Sequence, residues 1–165
     1  MLHGINDISS SDNLASTYAS TKYFLNYAAS NPDAELIHQV SDMILHVDSD
    51  IAYLVHPKSC SRAGGYHYLG NKTRTQFNRP ILVLDKIIKN IMALAAEAEV
   101  GALYMNTQEA LVAIGQCLIE LGHPQPATPT KPDNRTALGI LTGTIKQKRS
   151  KAIDMQFCWL KDRAA

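Results

Sequence analysis

Residues 44–53 read ILHVDSDIAY, and residues 61–69 read SRAGGYHYL. In the first stretch His46, Asp48 and Asp50 interrupt apolar and β-branched residues, which predicts a strand with one polar face because alternate side chains point the same way. Pro57 ends this strand, and a second run follows Gly64-Gly65, a pair that we interpret as turn chemistry. Residues 81–88 form a third run, which is mostly apolar and contains Asp85 and Lys86. Three strands with short connections predict an antiparallel meander.

Helical periodicity surrounds this meander. Residues 10–30 have the spacing of a helix that ends at Asn31-Pro32-Asp33. Apolar residues from Val100 to Leu121 recur in steps of three, four or eight, which predicts a long amphipathic helix with Gly122 as its left-handed C-cap. A short strand at 127–131, a helix at 134–141 and a final helix at 150–163 complete the order. The fold class predicted is therefore a mixed α/β domain.

Composition limits the function classes. The chain has 165 residues, 45% of them hydrophobic, which suits a globular domain with a real core. A net charge of +1 gives no overall argument for nucleic acid or membrane, and the longest apolar run, 91–96, is too short to span a bilayer. The chain start lacks a signal-peptide pattern, and three scattered cysteines predict free thiols. We expect an intracellular protein.

The small net charge hides an asymmetry along the chain. Two basic and seven acidic side chains give residues 1–60 a charge of −5, and fourteen basic and eight acidic ones give residues 61–165 a charge of +6. Such a basic excess suits a phosphate backbone, and a solvated helix face explains it equally well. The excess is concentrated near the end of the chain, in Lys146, Lys148, Arg149, Lys151, Lys161 and Arg163.

Three carboxylates occupy unusual positions. Asp50 interrupts an apolar strand, Glu99 stands near the start of the long helix, and Asp133 lies at a strand-to-helix junction. Such positions can converge on one side of an α/β sheet, where clustered carboxylates need a cation and suit Mg²⁺ or Mn²⁺. Asp50 also suits a solvated strand face, Glu99 a favourable charge in a first helical turn, and Asp133 an N-cap. Spacing alone leaves both interpretations open.

Ordered motifs extend this pattern over most of the chain. Together they resemble the ribonuclease H region of copia-type retrotransposon polyproteins, from about residue 20 to residue 163. The segments that carry the resemblance are Thr21–Tyr27 with Asn31-Pro32-Asp33, Val47–Tyr53, Ser61–Tyr66, Ala96–Ala102, Asp133–Leu138 and Ser150–Met155.

The resemblance implies a ribonuclease-H-like mixed sheet with flanking helices. It implies hydrolysis of the RNA strand of an RNA–DNA hybrid by two divalent ions. Asp50, Glu99 and Asp133 match the catalytic and metal-binding carboxylates, with Asp48 and Glu97 as alternatives to the first two. The side chains expected to contact nucleic acid are Arg62, Asn134, Lys146, Lys148, Arg149 and Lys151.

The resemblance also implies a domain division, a partner and a location, cytoplasmic in a virus-like particle or nuclear. Residues 1–36 match a helical tether from an upstream reverse transcriptase, and residues 37–165 match the ribonuclease-H-like domain. The family uses a fourth Asp after a further strand, and this chain carries no match to it. We therefore expect a sheet without its last strand and impaired cleavage. A non-catalytic nucleic-acid-binding module and a decayed retroelement remnant are the alternatives.

Overall fold

The computed structural model describes residues 14–73, 77–89, 92, 94–132, 134–142, 144, 159, 160 and 162. The chain divides into two units, residues 1–37 and 38–165. In the first unit, helix α1 (Leu14–Ser30) ends where the Asn31 side chain donates a hydrogen bond to the Tyr27 carbonyl, 2.9 Å away, and Pro32 follows. Proline cannot continue the helical ladder, which explains the stop predicted there.

Within the described residues of the second unit, the core element is a four-stranded mixed sheet. Strands β1 (Ile44–His56), β2 (Cys60–Gly70) and β3 (Pro80–Ile88) form the predicted antiparallel meander. Strand β4 (Thr130–Pro132) runs parallel to β1, so the order across the sheet is β3-β2-β1-β4. The prediction of an α/β domain is confirmed, and β4 lies near the C-terminal end of the segment expected for it.

The Gly64-Gly65 pair corrects one prediction. It lies inside β2, where Gly64 pairs with Asp50 and Gly65 with Ser49 of β1. The turn between β1 and β2 is instead a short 3₁₀ segment, Pro57–Ser59, in which Lys58 and Ser59 have positive φ angles of 63° and 56°. Glycine within a strand marks a close approach by other atoms, which local sequence cannot distinguish from a turn signal.

The predicted long helix is continuous but changes its hydrogen bonding. Helix α2 (Ala95–Gln108) passes into a π-helical segment, Glu109–Gly115, and then into α3 (Gln116–Glu120). Apolar spacing determines which face is buried but not which carbonyl each amide bonds, so the π segment was not predicted. Gly122 confirms its expected role: its φ is +87°, its amide bonds the Ile119 carbonyl, and the His123 amide bonds that of Leu118. These two bonds make a Schellman cap.

Helix α4 (Arg135–Leu141) confirms the helix expected over 134–141. Of the final predicted helix, Trp159, Leu160 and Asp162 are described and are helical, and the rest lies outside the described residues. Leu160 packs with Val100 and Leu103 of α2 and with Ala137 of α4.

Helix α2 and the helical turns that follow it, as far as Leu118, cover one face of the sheet. Ala98 and Ala102 pack over the β2–β3 side, against Ala63, Leu84 and Ile88. Further along, a second cluster joins the first strand to the later helical turns: Leu45, Val47, Ala110 and Leu118. Cys60 and Cys117 are free thiols, as predicted, and Cys158 lies outside the described residues. None of the helices in the described part of the chain is long and apolar enough to cross a membrane.

Candidate carboxylate site and its support

Asp50 is exposed and lies on the sheet face away from α2. The neighbouring Ser49 points toward α2, because its hydroxyl accepts a hydrogen bond from Asn106 of that helix at 2.9 Å. Successive side chains of a strand point to opposite faces, so Asp50 and Asp48 share the other face. The Asp50 Oδ1 accepts the Ile51 amide hydrogen at 2.7 Å, and the carboxylate remains open to solvent.

Glu99 approaches the sheet from the helix side. Its side chain is 1% exposed and lies on α2 between the stripe of Ala98 and Ala102 and the stripe of Val100 and Leu103. Asn106, two turns further along, occupies the same face of the helix. Glu97 is also buried, at 9% exposure. The sheet therefore carries Asp50 on one face and has Glu99 packed against the other.

The pairing of β1 with β4 ends one residue before Asp50. The parallel register runs Val47 with Thr130, Asp48 with Lys131 and Ser49 with Pro132, and it stops there. Asp50 is the next residue of β1. Asp133, the next residue after Pro132 in the chain, lies outside the described residues. Among the described residues, no group of three or more His, Cys, Asp or Glu side chains is arranged to hold a metal ion.

The helix that follows β4 is capped by Asn134. Its side-chain oxygen accepts the amide hydrogens of Thr136 at 2.8 Å and Ala137 at 3.3 Å, which is the geometry of an N-cap. Asn134 therefore has a structural role besides its predicted contact with nucleic acid. The N-cap role considered for Asp133 is filled by Asn134.

Arg62 is a buried residue of β2. Its Nη1 donates to Asp85 Oδ2 of β3 at 3.0 Å, and both side chains are 4% exposed. Taking either partner away would leave a buried charge, so the pair has a structural role. A contact between Arg62 and a phosphate would require this ion pair to open. The remaining predicted basic contacts, Lys146, Lys148, Arg149 and Lys151, lie outside the described residues.

A buried polar network holds β1, β2 and α2 together. The fully buried Asn106 donates from Nδ2 to Ser49 Oγ at 2.9 Å and to the Gly64 carbonyl at 2.8 Å. A Cβ atom on Gly65 would lie 1.9 Å from Asn106 Oδ1, so the asparagine side chain occupies the space that any other residue at position 65 would fill. This network fixes Ser49, the residue before Asp50.

His67 lies beside this network and is fully buried. Its Nε2 is 3.2 Å from the carbonyl oxygen of Asn106. Burial lowers the pKa of His67, because a charged imidazolium is poorly solvated there; hydrogen bonds with the Asn106 and Leu82 backbones and the charge of Glu109 oppose that effect. The imidazole is therefore held preferentially neutral.

Comparison with known proteins yielded no match among family models, curated proteins or solved structures. The family resemblance therefore stands on the motifs of the sequence itself.

The sequence singled out the carboxylates but did not predict the Asn106 network that holds Ser49, the residue before Asp50. Asn106 stands inside an apolar helical pattern, where a single polar residue carries little signal. The sequence feature that could have indicated the network was Gly64-Gly65, a glycine pair within a stretch of strand-forming residues. Glycine at such a position indicates that another group approaches the backbone closely, and here that group is Asn106.

Proposed function

We propose that this chain contains the ribonuclease-H-like domain of a copia-type retroelement and hydrolyses the RNA strand of RNA–DNA hybrids with Mg²⁺ or Mn²⁺. In its parent polyprotein the upstream reverse transcriptase would be its partner. The observation that carries the proposal is the end of the β1–β4 pair. The last paired residues, Ser49 and Pro132, directly precede Asp50 and Asp133, two of the three carboxylates named by the resemblance.

Three further observations support the same function. The helix that bears Glu99 packs on this sheet, with the Glu99 carboxylate buried on its inner face. The cap of α4 comes from Asn134, so the alternative structural role for Asp133 is not needed. The four-stranded mixed sheet, a meander with β4 parallel to β1, is compatible with a ribonuclease-H-like fold.

The donor chemistry of the carboxylates fits the proposed ions. Carboxylate oxygens are hard ligands that suit Mg²⁺ and Mn²⁺. Asp50, open to solvent, would hold an ion together with Asp133, the next residue of the chain after β4. Glu99 packs against the opposite face of the sheet, so it would have to contribute past the edge of β1 beside Asp50, where the pairing with β4 has ended. When bound, the ions activate the attacking water and stabilise the leaving oxygen of the RNA phosphodiester.

The test is cleavage of a hybrid whose RNA strand carries a fluorescent label, with Mg²⁺, with Mn²⁺ and with chelator. Asp50→Asn and Glu99→Gln remove a charge with little change of shape. Asp33→Asn is the matched control, because it makes the same change at an exposed position of the first unit. We expect metal-dependent cleavage that falls at least about 100-fold in Asp50→Asn and Glu99→Gln, the size of loss found when a positioned catalytic group is removed. Asp33→Asn should cut at the wild-type rate.

The outcomes separate the assignments. If folded wild-type protein cuts no hybrid with either metal, catalysis is refuted, and hybrid binding without products then favours the non-catalytic module. If Asp50→Asn cuts normally, Asp50 is the wrong ligand, and Asp48→Asn tests its neighbour. Each variant is compared with wild type by circular dichroism and thermal unfolding, since Glu99 is buried.

A further inference from the structure

The sheet face opposite α2 carries a cluster of four aromatic rings. Three of the rings belong to His46 of β1 and to Tyr66 and Tyr68 of β2. Tyr66 pairs with Asp48 and Tyr68 pairs with His46, so these side chains lie on the face away from α2. His46 stacks on Tyr68 with ring centroids 5.2 Å apart and an angle of 15° between the rings. The fourth ring belongs to Phe77, which precedes β3. These rings form a continuous aromatic layer across two strands.

Phe77 is the outermost ring of this layer. It stacks on Tyr66 at 4.8 Å with an angle of 17°, and its centroid is 4.9 Å from that of Tyr68. Tyr66 and Tyr68 thus hold one side of the Phe77 ring, yet Phe77 is 63% exposed. An apolar ring supported in this way presents its other face to solvent.

The backbone that carries Phe77 is held by the next residue. Asn78 is 6% exposed; its Nδ2 donates to the carbonyl oxygens of Gln39 and Leu69, each at 2.9 Å, and its Oδ1 accepts the Gln39 amide hydrogen at the same distance. The Tyr66 hydroxyl donates to the Asn78 carbonyl, also at 2.9 Å. The exposed ring is therefore pre-organised, which lowers the entropy lost when a ligand binds.

A positive charge flanks the ring. Arg79 follows Asn78 and is exposed. Burial raises the pKa of the Tyr66 phenol, and the positive charge of Arg79 partly opposes that effect. On the opposite side of Tyr66, toward β1, stands the carboxylate of Asp48. An anion is therefore favoured on the Arg79 side.

We propose that Phe77 is a stacking site for an unpaired nucleobase of a single-stranded nucleic acid, with Arg79 contacting the adjacent phosphate. A flat supported ring beside a cation matches the way proteins bind single strands without reading their sequence. A protein partner is the alternative occupant, because Val40, next to the Gln39 that bonds Asn78, and Ile81 of β3 are also exposed apolar side chains. Absence of oligonucleotide binding by the folded protein would favour it.

This site goes beyond hydrolysis and does not depend on it. Gly64, two residues before Tyr66, pairs with Asp50, so the stacking site and the exposed candidate carboxylate share one face of the sheet. A strand that stacks on Phe77 can run on toward Asp50. Binding at Phe77 can nevertheless be measured without metal, and so without cleavage.

The experiment is fluorescence anisotropy of labelled oligo(dT) and oligo(U) of about 12 nucleotides with the full chain and chelator, a length within the usual site size of single-strand binders. Phe77→Ala should weaken binding roughly 5- to 150-fold, the range for loss of one base stack, whereas Phe77→Tyr should stay within about threefold of wild type. Arg79→Ala should also reduce the salt dependence by about one phosphate contact. Ile87→Ala, a partly exposed apolar residue at the far end of the same face, is the matched control and should bind as wild type.

Several results would overturn the proposal. Absence of oligonucleotide binding by the folded wild-type protein would do so, as would equal affinities for wild type and Phe77→Ala. If UMP binds as tightly as oligo(U), the site takes free nucleotides and not a strand. Because Phe77 is largely exposed, Phe77→Ala should fold, and thermal unfolding checks this. Failure of the hybrid cleavage assay alone leaves these readouts unchanged.

Discussion

Gly65→Ala should destabilise the second unit far more than the same change at the adjacent Gly64. A Cβ at position 65 would lie 1.9 Å from Oδ1 and 2.7 Å from Cγ of Asn106, well inside van der Waals contact. At position 64 the nearest atom would be the Asp50 carbonyl oxygen, at an ordinary 3.7 Å. Both glycines lie in β2, so local propensity is matched and the difference isolates the Asn106 contact.

The expected magnitude follows from the bonds that Asn106 must give up. Moving its side chain breaks two hydrogen bonds, to Ser49 Oγ and to the Gly64 carbonyl. Each contributes about 0.5–1.5 kcal/mol net, and leaving buried polar groups unsatisfied costs about 1–3 kcal/mol more. The free energy of unfolding should therefore fall by roughly 2–6 kcal/mol, a large part of the 5–15 kcal/mol typical of a domain. Gly64→Ala should change it by less than about 1 kcal/mol.

Urea unfolding followed by circular dichroism measures both variants, with a lower midpoint and an unchanged m-value as the expected signature. A double-mutant cycle sharpens the test. In an Asn106→Ala background the two atoms nearer than 3.0 Å are gone and only His67 Cε1, at 3.1 Å, remains close, so adding Gly65→Ala should cost much less than it does in the wild type. Equal stabilities for the two glycine variants, or no coupling between positions 65 and 106, would refute the packing described for Asn106.

Two further predictions concern other parts of the fold. Burial lowers the pKa of His67, so its imidazole binds a proton more readily in the unfolded chain than in the native protein. Stability from this group is complete above the unfolded pKa of about 6.5 and falls as the pH drops below it, by at most about 1.4 kcal/mol per pH unit. His67→Gln should flatten that dependence in urea titrations from pH 7 to 5, while the exposed-site control His38→Gln should keep it; an unchanged slope in His67→Gln would contradict the assignment. Asn134→Ala should lower stability by about 1 kcal/mol through loss of the N-cap, and Asn134→Asp should retain the cap; equal stability of Asn134→Ala and wild type would rule the cap out.

The candidate site was only partly readable from the sequence. Residue type and motif order singled out Asp50, Glu99 and Asp133, because carboxylates at strand and helix ends are unusual wherever they occur. The sequence did not predict that Asp50 and Glu99 lie on opposite sides of the sheet, because that depends on which neighbour of Asp50 contacts α2. The contact of Ser49 with Asn106, 57 residues away, decides that orientation.

Arg62 shows the same limit. Its sequence context, between a serine and a glycine pair, resembles a basic residue available for phosphate. Asp85, 23 residues later, neutralises it only because the β2–β3 register sets Gly64 opposite Asp85 and so brings the two side chains within reach diagonally. Register between strands depends on the whole sheet and its buried face, so no local pattern specifies it.

By itself the sequence determined the order of strands and helices among the described residues, and the ends of three helices, at Asn31, Gly122 and Asn134. These helix ends depend on bonds between residues at most five positions apart, which local residue types can specify. Only the tertiary structure decided that Asn106 fills the space at Gly65, that Arg62 is buried against Asp85, and that Phe77 stands exposed on a stacked tyrosine. Each of these joins separate elements, and their meeting depends on strand register and helix packing, which the chain acquires only when the core closes.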